Sequence, residues 1–331
     1  MRSLACSSAP SIWAPDPPNL SPRPPLVTTR TVRKAIFPAA GLGTRFLPVT
    51  KAQPKEMLPL VDKPTIQYGV EEAIASGIEQ VIMVTGGGKR AIVDHFDRSL
   101  ELEHYLEERG RSDLLHILAE VDALSNELVI TYIQQKEPRG LGHAVWTARL
   151  LVEGEACAVL LADDVILNDG EPCLKQLIDA HRKTGATVLA VRRVPRNEVS
   201  RYGIIATAGA KNGIYEVTDV VEKPSLEDAP SDLAALGRYV ILPAVFDELE
   251  KGQPGAGKEI QLVDAIKRTI GSQPVVGIEF EGDYYDTGTV PGYLRANLTL
   301  AMKREGLREE LVPLLQELLE ASAEGSAPRG L

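Results

Sequence analysis

The sequence has few of the residues that mark a disulfide framework, a metal cluster or a membrane anchor. It contains three cysteines, Cys6, Cys157 and Cys173, which is an odd number without the spacing of a metal site. No apolar run approaches the roughly 20 residues that a membrane span requires. These absences argue against a disulfide-stapled domain and a membrane protein, and they favour a cytoplasmic one.

Positive charge is also in deficit. The chain has 36 lysines and arginines against 46 aspartates and glutamates, a net charge of −10. This balance argues against broad binding of nucleic acid, although a local basic pocket is compatible with it. With 331 residues, 44% of them apolar, the chain is long enough for one large α/β domain or two smaller ones.

The pattern along the chain predicts three regions. Residues 1–30 are rich in proline and lack patterned apolar residues, which predicts a disordered leader. From residue 31 to 306, strand-like apolar runs alternate with helical patterns, as in βαβ units around a mostly parallel sheet. The predicted strands include 80–85 and 156–162, and the predicted helices include 143–151 and 290–303. The charged stretch 89–124 is a predicted helical insertion, and 307–331 forms a C-terminal helix and tail that has no core of its own.

The most informative stretch runs from Ala39 to Leu60 and begins where a buried strand ends. Gly41 and Gly43 allow the backbone to adopt positive φ angles and bring amide N–H groups close to an anion. Arg45, Lys51 and Lys55 add positive charge beside this loop. The combination predicts a site for a triphosphate, in which these cations also stabilise a phosphoryl transition state.

Two other nucleotide-binding motifs fit the sequence less well. The dinucleotide fingerprint G-x-G-x-x-G fails because Phe46 stands where the third glycine belongs. The segment 252–258, GQPGAGK, satisfies the P-loop spacing, but Glu259 follows it in place of the serine or threonine that would hold magnesium. A helical pattern also precedes this segment where a P-loop requires a strand.

Carboxylates at strand ends predict a metal site. The apolar run 159–167, VLLADDVIL, contains Asp163 and Asp164, and ligands bind beyond the carboxyl ends of such strands. Because adjacent strand residues face opposite sides, only one acid should face the site. We expect this to be Asp163, with Asp164 in a turn or at a helix cap. Asp286, in the later DYYDTGT segment, is a second candidate for sharing one Mg²⁺.

Two further segments suggest how a base and a sugar are held. Gln135 and the backbone of Gly140 can read the edge of a base, although a glutamine amide can rotate to suit uracil or cytosine. His143, in the same segment, is expected to be a structural residue of the first helical turn. Glu222 and Lys223 would be an exposed ion pair on residue types alone, but beside a phosphate site they suit sugar hydroxyls and a sugar phosphate.

These segments resemble the sugar-1-phosphate nucleotidylyltransferases, whose signature is G-x-G-T-R followed by a proline and then a Pro-Lys pair. The matching positions are Gly41, Gly43, Thr44, Arg45, Pro48, Pro54 and Lys55. Five other segments are similar to the bacterial members that act on UTP: Lys55–Tyr68, Gly140–Val145, Val220–Pro224, Leu236–Val240 and Gly255–Ile266. The resemblance covers roughly 33 to 303.

The resemblance implies a fold and a reaction. The fold would be a Rossmann-like nucleotide-diphospho-sugar transferase domain, with a mixed, mostly parallel, seven-stranded sheet flanked by helices. The reaction would be magnesium-assisted transfer of a uridylyl group from UTP to glucose 1-phosphate, in a homodimer or homotetramer. Neither nucleic acid nor a membrane would be a partner.

The resemblance also implies roles for individual residues. The catalytic cations would be Arg45, Lys55 and Lys223, and the metal ligands Asp163 and Asp286. The nucleotide would be held by Ala40, Gly41, Gly43, Thr44, Glu56, Gln135 and Gly140, and glucose 1-phosphate by Gly203, Glu222, Lys223 and Gly237.

Two alternatives stay open at the level of sequence. Segment 286–288, Asp-Thr-Gly, is closer to the thymidylyl relatives, so dTTP is the nearest rival substrate, and a His-Ser-type turn common in the family is replaced by 86–88, Gly-Gly-Gly. A non-catalytic sugar-nucleotide sensor is the second rival, and the intact set of candidate catalytic residues argues against it.

Overall fold

The structure is a computed structural model that describes residues 31–323. The predicted disordered leader 1–30 lies outside the described residues. The strands are β1 (Lys34–Ala39), β2 (Pro59–Leu60), β3 (Lys63–Pro64), β4 (Gln80–Thr85), β5 (Val129–Gln134), β6 (Cys157–Leu160), β7 (Asp164–Leu167), β8 (Thr187–Arg193), β9 (Gly203–Lys211), β10 (Ile214–Glu222), β11 (Leu233–Ile241), β12 (Val275–Glu279) and β13 (Asp283–Asp286).

The helices lie between these strands and after the last one. They are α1 (Thr65–Ala75), α2 (Arg90–Phe96), α3 (Leu100–Glu108), α4 (Ser112–Glu127), α5 (Leu141–Thr147), α6 (Arg149–Val152), α7 (Cys173–Thr184), α8 (Pro243–Glu250), α9 (Leu262–Thr269), α10 (Val290–Lys303) and α11 (Glu305–Ala323). Within residues 31–323, no helix is long and apolar enough to cross a membrane.

A nine-stranded mixed sheet forms the centre of the molecule, in the order β5-β4-β1-β6-β11-β8-β12-β10-β9. The first four strands are parallel, and β11 and β10 run against the other seven. The prediction of an α/β fold with a mixed, mostly parallel sheet is confirmed. The expected number of seven strands is wrong, because the sheet has nine strands within the described residues.

Strand periodicity divides the core between the two faces of the sheet. In β1, Ala35 and Phe37 face one cluster of buried side chains, whereas Ile36 faces the other. Helices α1 and α7 cover the first face with residues such as Ile66 and Leu174. Helices α5, α8 and α9 cover the second. Since both faces are covered, the strands read as nearly continuous apolar runs and not as alternating ones.

Two predicted elements are interrupted, and the first break places Asp163 and Asp164 at the site. The strand predicted over 156–162 ends at Leu160, and the chain turns before it resumes at Asp164 as β7. The helix predicted over 143–151 begins earlier, at Leu141, and is divided at Ala148 into α5 and α6. Strands β12 and β13 were missed by the sequence analysis.

A small unit beside the sheet carries the second candidate metal ligand. Strands β7 and β13 pair antiparallel and place Asp286 opposite Asp164. Helix α10 follows. Thr289 is its N-cap residue, and the Thr289 hydroxyl accepts a hydrogen bond from Gly292 N at 3.3 Å. Leu60, Val165, Tyr285, Ala296 and Leu300 form the small core of this unit.

Candidate active site

A cleft of about 530 Å³ collects most of the charged candidates. Arg45 follows β1, Asp163 follows β6 and Asp286 ends β13, so three distant segments contribute to it. The sequence-predicted residues that line the cleft are Arg45, Asp163, Gly203, Glu222, Lys223, Gly237 and Asp286. Lys55 joins this group by contact, because its ammonium pairs with Asp163.

The two candidate metal ligands meet at Gly288. A Cβ atom added to Gly288 would lie 2.9 Å from Asp163 Oδ2 and 3.2 Å from Asp286 Oδ1. The backbone fixes this arrangement, since Thr287 N donates to Asp163 O at 2.8 Å and Gly288 N donates to Asp286 Oδ1 at 2.9 Å. Two carboxylates therefore present oxygen atoms to one small space that only a glycine leaves open.

Each of these carboxylates has a cationic partner. Lys55 Nζ pairs with Asp163 Oδ2, and Arg201 Nη2 pairs with Asp286 Oδ2. Burial alone would raise the pKa of Asp163, but the charge and hydrogen bond of Lys55 hold that pKa below its usual value. Arg45 completes the cationic rim, and its Nη1 donates to Gly288 O at 3.3 Å.

Asp164 closes a turn, which was one of its two predicted positions, but it also faces the site, which was not expected. It is the first residue of β7 and does not cap a helix; its carboxylate accepts hydrogen bonds from Tyr284 Oη at 2.6 Å and Gly237 N at 3.2 Å. It also lines the cleft together with Asp163. The alternation rule fails here because the chain turns at Asp163 and is not a continuous strand. Burial, followed by the charge of Asp163, raises the pKa of Asp164 to about 7.

The opposite wall of the cleft is formed by the predicted sugar-phosphate residues. Glu222 and Gly203 pair across β10 and β9, and a Cβ atom on Gly203 would lie 3.1 Å from Glu222 Oε2. The Lys223 ammonium lies 3.4 Å from Glu222 Oε1. Lys223 has a φ of 48°, an uncommon value for a non-glycine residue, and its backbone N donates to Tyr202 O at 3.0 Å.

The glycine-rich loop leads from β1 to the cleft. Gly43 has a φ of 66°, and its carbonyl accepts a hydrogen bond from the Thr50 hydroxyl at 2.7 Å. Thr44 begins the short 3₁₀ helix that carries Arg45. A Cβ atom on Gly41 would lie 3.8 Å from Lys55 Cε, so the loop and this lysine are adjacent. Lys51, by contrast, is exposed and is not among the residues that line the cleft.

The remaining predicted nucleotide residues lie at the carboxyl ends of β1, β4 and β5. A Cβ atom added to Gly86 would lie 3.0 Å from Ala40 O, and Gln135 N donates to Thr85 O at 2.8 Å. Gly140 has a φ of 108° and lies against Ile260. These residues do not line the cleft with the sugar-side residues; Leu141, the residue after Gly140, does.

Glu56 is buried at this end with a lysine that the sequence analysis did not single out. Its Oε2 accepts from Lys89 Nζ at 2.7 Å, and its Oε1 has no hydrogen-bond partner among the described residues. Burial raises the pKa of Glu56, and the charges of Lys55 and Lys89 partly offset that rise. The buried ion pair with Lys89 therefore holds Glu56 in one place, next to Lys55.

The segment with P-loop spacing does not form a P-loop. Residues 252–258 follow helix α8 and not a strand, and they contain a short 3₁₀ turn with Gly257 at a φ of 69°. Glu259 and Gln261, which come directly after this segment, line the cleft on the sugar side. The rejection of this motif is confirmed.

Sequence reasoning missed the pair that supports the floor of the cleft. Arg238 is buried in β11 and donates to Glu72 Oε2 from Nε at 2.9 Å and from Nη2 at 2.7 Å. Its Nη1 donates to Leu161 O at 3.0 Å. Glu72 Oε1 accepts from Leu174 N at 2.9 Å. A charged residue inside an apolar strand pattern was the only signal, and it did not reveal the partner.

The fold and the cleft define an α/β enzyme with a cationic site for phosphorylated substrates. The chain belongs to the nucleotidyl transferase family, whose model matches residues 34–303. It is 53% identical over 290 residues to UTP–glucose-1-phosphate uridylyltransferase of Bacillus subtilis, covering 88% of this chain and 98% of the relative.

Solved structures similar to this chain come from the same family of enzymes. A UDP-glucose pyrophosphorylase complexed with UDP-glucose matches with a TM-score of 0.77 and 41% identity, covering 82% of this chain and 100% of that one. A UTP-bound enzyme from Acinetobacter baumannii matches with a TM-score of 0.79 and 37% identity, covering 87% of this chain and 99% of that one. The resemblance stated from the sequence is confirmed.

Proposed function

We propose that the protein transfers the uridylyl group of UTP to α-D-glucose 1-phosphate and releases pyrophosphate, forming UDP-glucose. The observation that carries this proposal is that Arg45, Lys55 and Lys223 surround one cleft together with two convergent carboxylates. Its similarity to uridylyltransferases over 88% of the chain supports the same reaction.

The proposed chemistry requires positioning and charge neutralisation. An oxygen of the sugar phosphate attacks the α-phosphorus of UTP in line, and pyrophosphate leaves as the P–O bond breaks. A phosphate monoester is already nucleophilic near neutral pH, so the step needs neither a covalent enzyme intermediate nor a general base. Arg45 and Lys55 bind the triphosphate, and Lys223 brings the sugar phosphate to the same place.

The remaining residues are assigned to two ends of the site, one for the sugar and one for the nucleotide. Glu222 accepts hydrogen bonds from sugar hydroxyls, and the backbone at Gly203 and Gly237 lies against the sugar ring. The nucleotide end consists of Ala40, Gly41, Gly43, Thr44, Glu56, Gln135 and Gly140.

The two convergent carboxylates fit a hard divalent cation, and Mg²⁺ is our proposal. Asp163 and Asp286 would hold it; no group of three or more acidic, histidine or cysteine side chains suited to a metal occurs among the described residues. A site with two carboxylates suits Mg²⁺, which takes its remaining ligands from phosphate and water. When bound, the ion neutralises charge on the phosphates.

A pyrophosphate-release assay tests the proposal and separates it from its rivals. We expect turnover with UTP and glucose 1-phosphate that exceeds turnover with dTTP, and that stops when Mg²⁺ is chelated. Faster turnover with dTTP would make the protein a thymidylyltransferase. Binding of UDP-glucose without turnover of either nucleotide would make it a sensor.

We also propose that the protein forms a homo-oligomer through α11. Leu307, Leu311, Leu314 and Leu318 follow one another at spacings of four, three and four residues, as in a helix–helix seam. None of these four leucines is buried, and the neighbouring Leu319 is 71% exposed. A second copy of the same helix would cover this stripe.

Light scattering of the purified chain tests the oligomer. We expect the mass of a dimer or tetramer, and a smaller species when Leu311 and Leu318 are both replaced by lysine. The matched control replaces the exposed Glu309 and Gln316 of the same helix by lysine and should leave the mass unchanged. A wild-type monomer would refute the proposal.

A further inference from the structure

The side-chain amide of Gln135 is held at one end by two acceptors. Its Nε2 lies 3.3 Å from Gly140 O and 2.8 Å from His143 Nδ1. A carbonyl oxygen can only accept, so the atom of the amide that faces Gly140 must be the nitrogen. The same nitrogen then donates its second hydrogen to His143, whose Nδ1 must act as the acceptor.

This geometry requires neutral His143 with its proton on Nε2. The charged groups that act on the ring are Arg139 and Glu137, from the loop before α5, and burial is the largest influence and lowers its pKa. The ring also stacks on Trp146, with centroids 5.9 Å apart. Burial and the charge of Arg139 lower the pKa of His143 more than the charge and backbone of Glu137 raise it, which favours the neutral ring that the hydrogen bond requires.

Both donors of the Gln135 amide are therefore occupied. Its Oε1 has no hydrogen-bond partner within the described part of the chain, and the residue as a whole is buried. The group that remains free is a pure acceptor. It lies beyond β5, next to the ends of β4 and β1, where the proposed function places the base.

We propose that His143 is a positioning residue that determines base specificity by locking the Gln135 amide with Oε1 toward the base. Uracil and thymine carry a donor, N3–H, on the edge that Oε1 would face. Cytosine carries a lone pair at N3, which Oε1 repels. This fixed orientation of the Gln135 amide, which we call the lock, selects uracil or thymine over cytosine. A freely rotating glutamine would accept either kind of base. This inference rests on the proposed function, because it assumes that a pyrimidine nucleotide occupies the site.

The test compares UTP, CTP and dTTP with His143→Leu, which removes the acceptor. We expect the ratio of kcat/KM for UTP over CTP to fall by about fivefold to tenfold, the effect of one neutral hydrogen bond. The ratio for UTP over dTTP should not change, since both bases carry N3–H. His143→Asn, which restores an acceptor near Nδ1, should recover the discrimination. Trp146→Phe is the matched control and should keep it.

Two further measurements remain decisive if the leucine variant folds poorly. In the wild-type protein, protonation of His143 turns Nδ1 into a donor. Because burial lowers the pKa of His143, discrimination against CTP should weaken only as the pH falls below the ordinary His value of about 6.5. In His143→Asn the ratio should be independent of pH. Calorimetric binding of UTP and CTP without the sugar phosphate reads the base preference apart from turnover.

The outcomes separate the two claims. If UTP binds with the expected preference over CTP but is never turned over, the proposed reaction fails and the lock stands. If turnover with UTP is normal but His143→Leu and low pH both leave the UTP-to-CTP ratio unchanged, the lock is refuted and the reaction stands.

Discussion

Replacement of Arg45 by alanine is expected to lower kcat by about 10²–10³, or roughly 3–4 kcal/mol of transition-state stabilisation. The guanidinium lines the cleft and, within residues 31–323, makes one hydrogen bond, to Gly288 O. It is exposed on a short 3₁₀ helix and is not part of a core cluster. The fold should therefore survive its loss, and thermal unfolding should be nearly unchanged.

Lys51→Ala provides the control for this experiment. It removes a positive charge from the same segment, but Lys51 is exposed and is not part of the cleft. Kinetics of pyrophosphate release should separate the two variants clearly. If Arg45→Ala turned over as fast as Lys51→Ala, Arg45 would not act on the phosphates.

Among the substitutions proposed for this protein, replacement of Arg238 by methionine is expected to lower the free energy of unfolding most. It leaves the buried Glu72 without its charged partner, and the loss of one member of such a pair costs about 3–5 kcal/mol. The free energy of unfolding, measured in urea with the slope m compared between variants, should show this loss.

A double replacement tests the cause. Glu72→Gln combined with Arg238→Met removes both charges but keeps an oxygen for Leu174 N, so it should recover most of the stability. Arg304→Met is the exposed control: its pair with Asp62 lies on the surface and should contribute at most about 1 kcal/mol. If Arg238→Met and Arg304→Met were equally stable, the buried pair would not be important for the fold.

Much of the fold follows from local patterns in the sequence. Strand β4 and helix α10 were predicted with the bounds that the structure shows. Their apolar periods and flanking glycines or prolines are strong local signals. β12 was missed because its five residues carry no polar alternation, and a short buried strand cannot be distinguished by period from other apolar segments.

Some contacts within the site could also be predicted from the sequence, whereas others could not. Arg45 and Asp163 could be predicted to meet, because each follows a strand of the same parallel half of the sheet. Arg201 could not be assigned to Asp286, nor Arg238 to Glu72, because these partners do not both follow strands of one parallel set and no local pattern relates them across 85 and 166 residues. Only the packing of separate elements creates such pairs.

The pairing of Lys55 with Asp163 and of Arg201 with Asp286 has a consequence for the ligand-free protein. Both acids already have counter-ions supplied by the chain itself, so the repulsion between their two carboxylates is offset by Lys55 and Arg201. Side chains from distant segments thus hold both carboxylates in place through contacts within the chain.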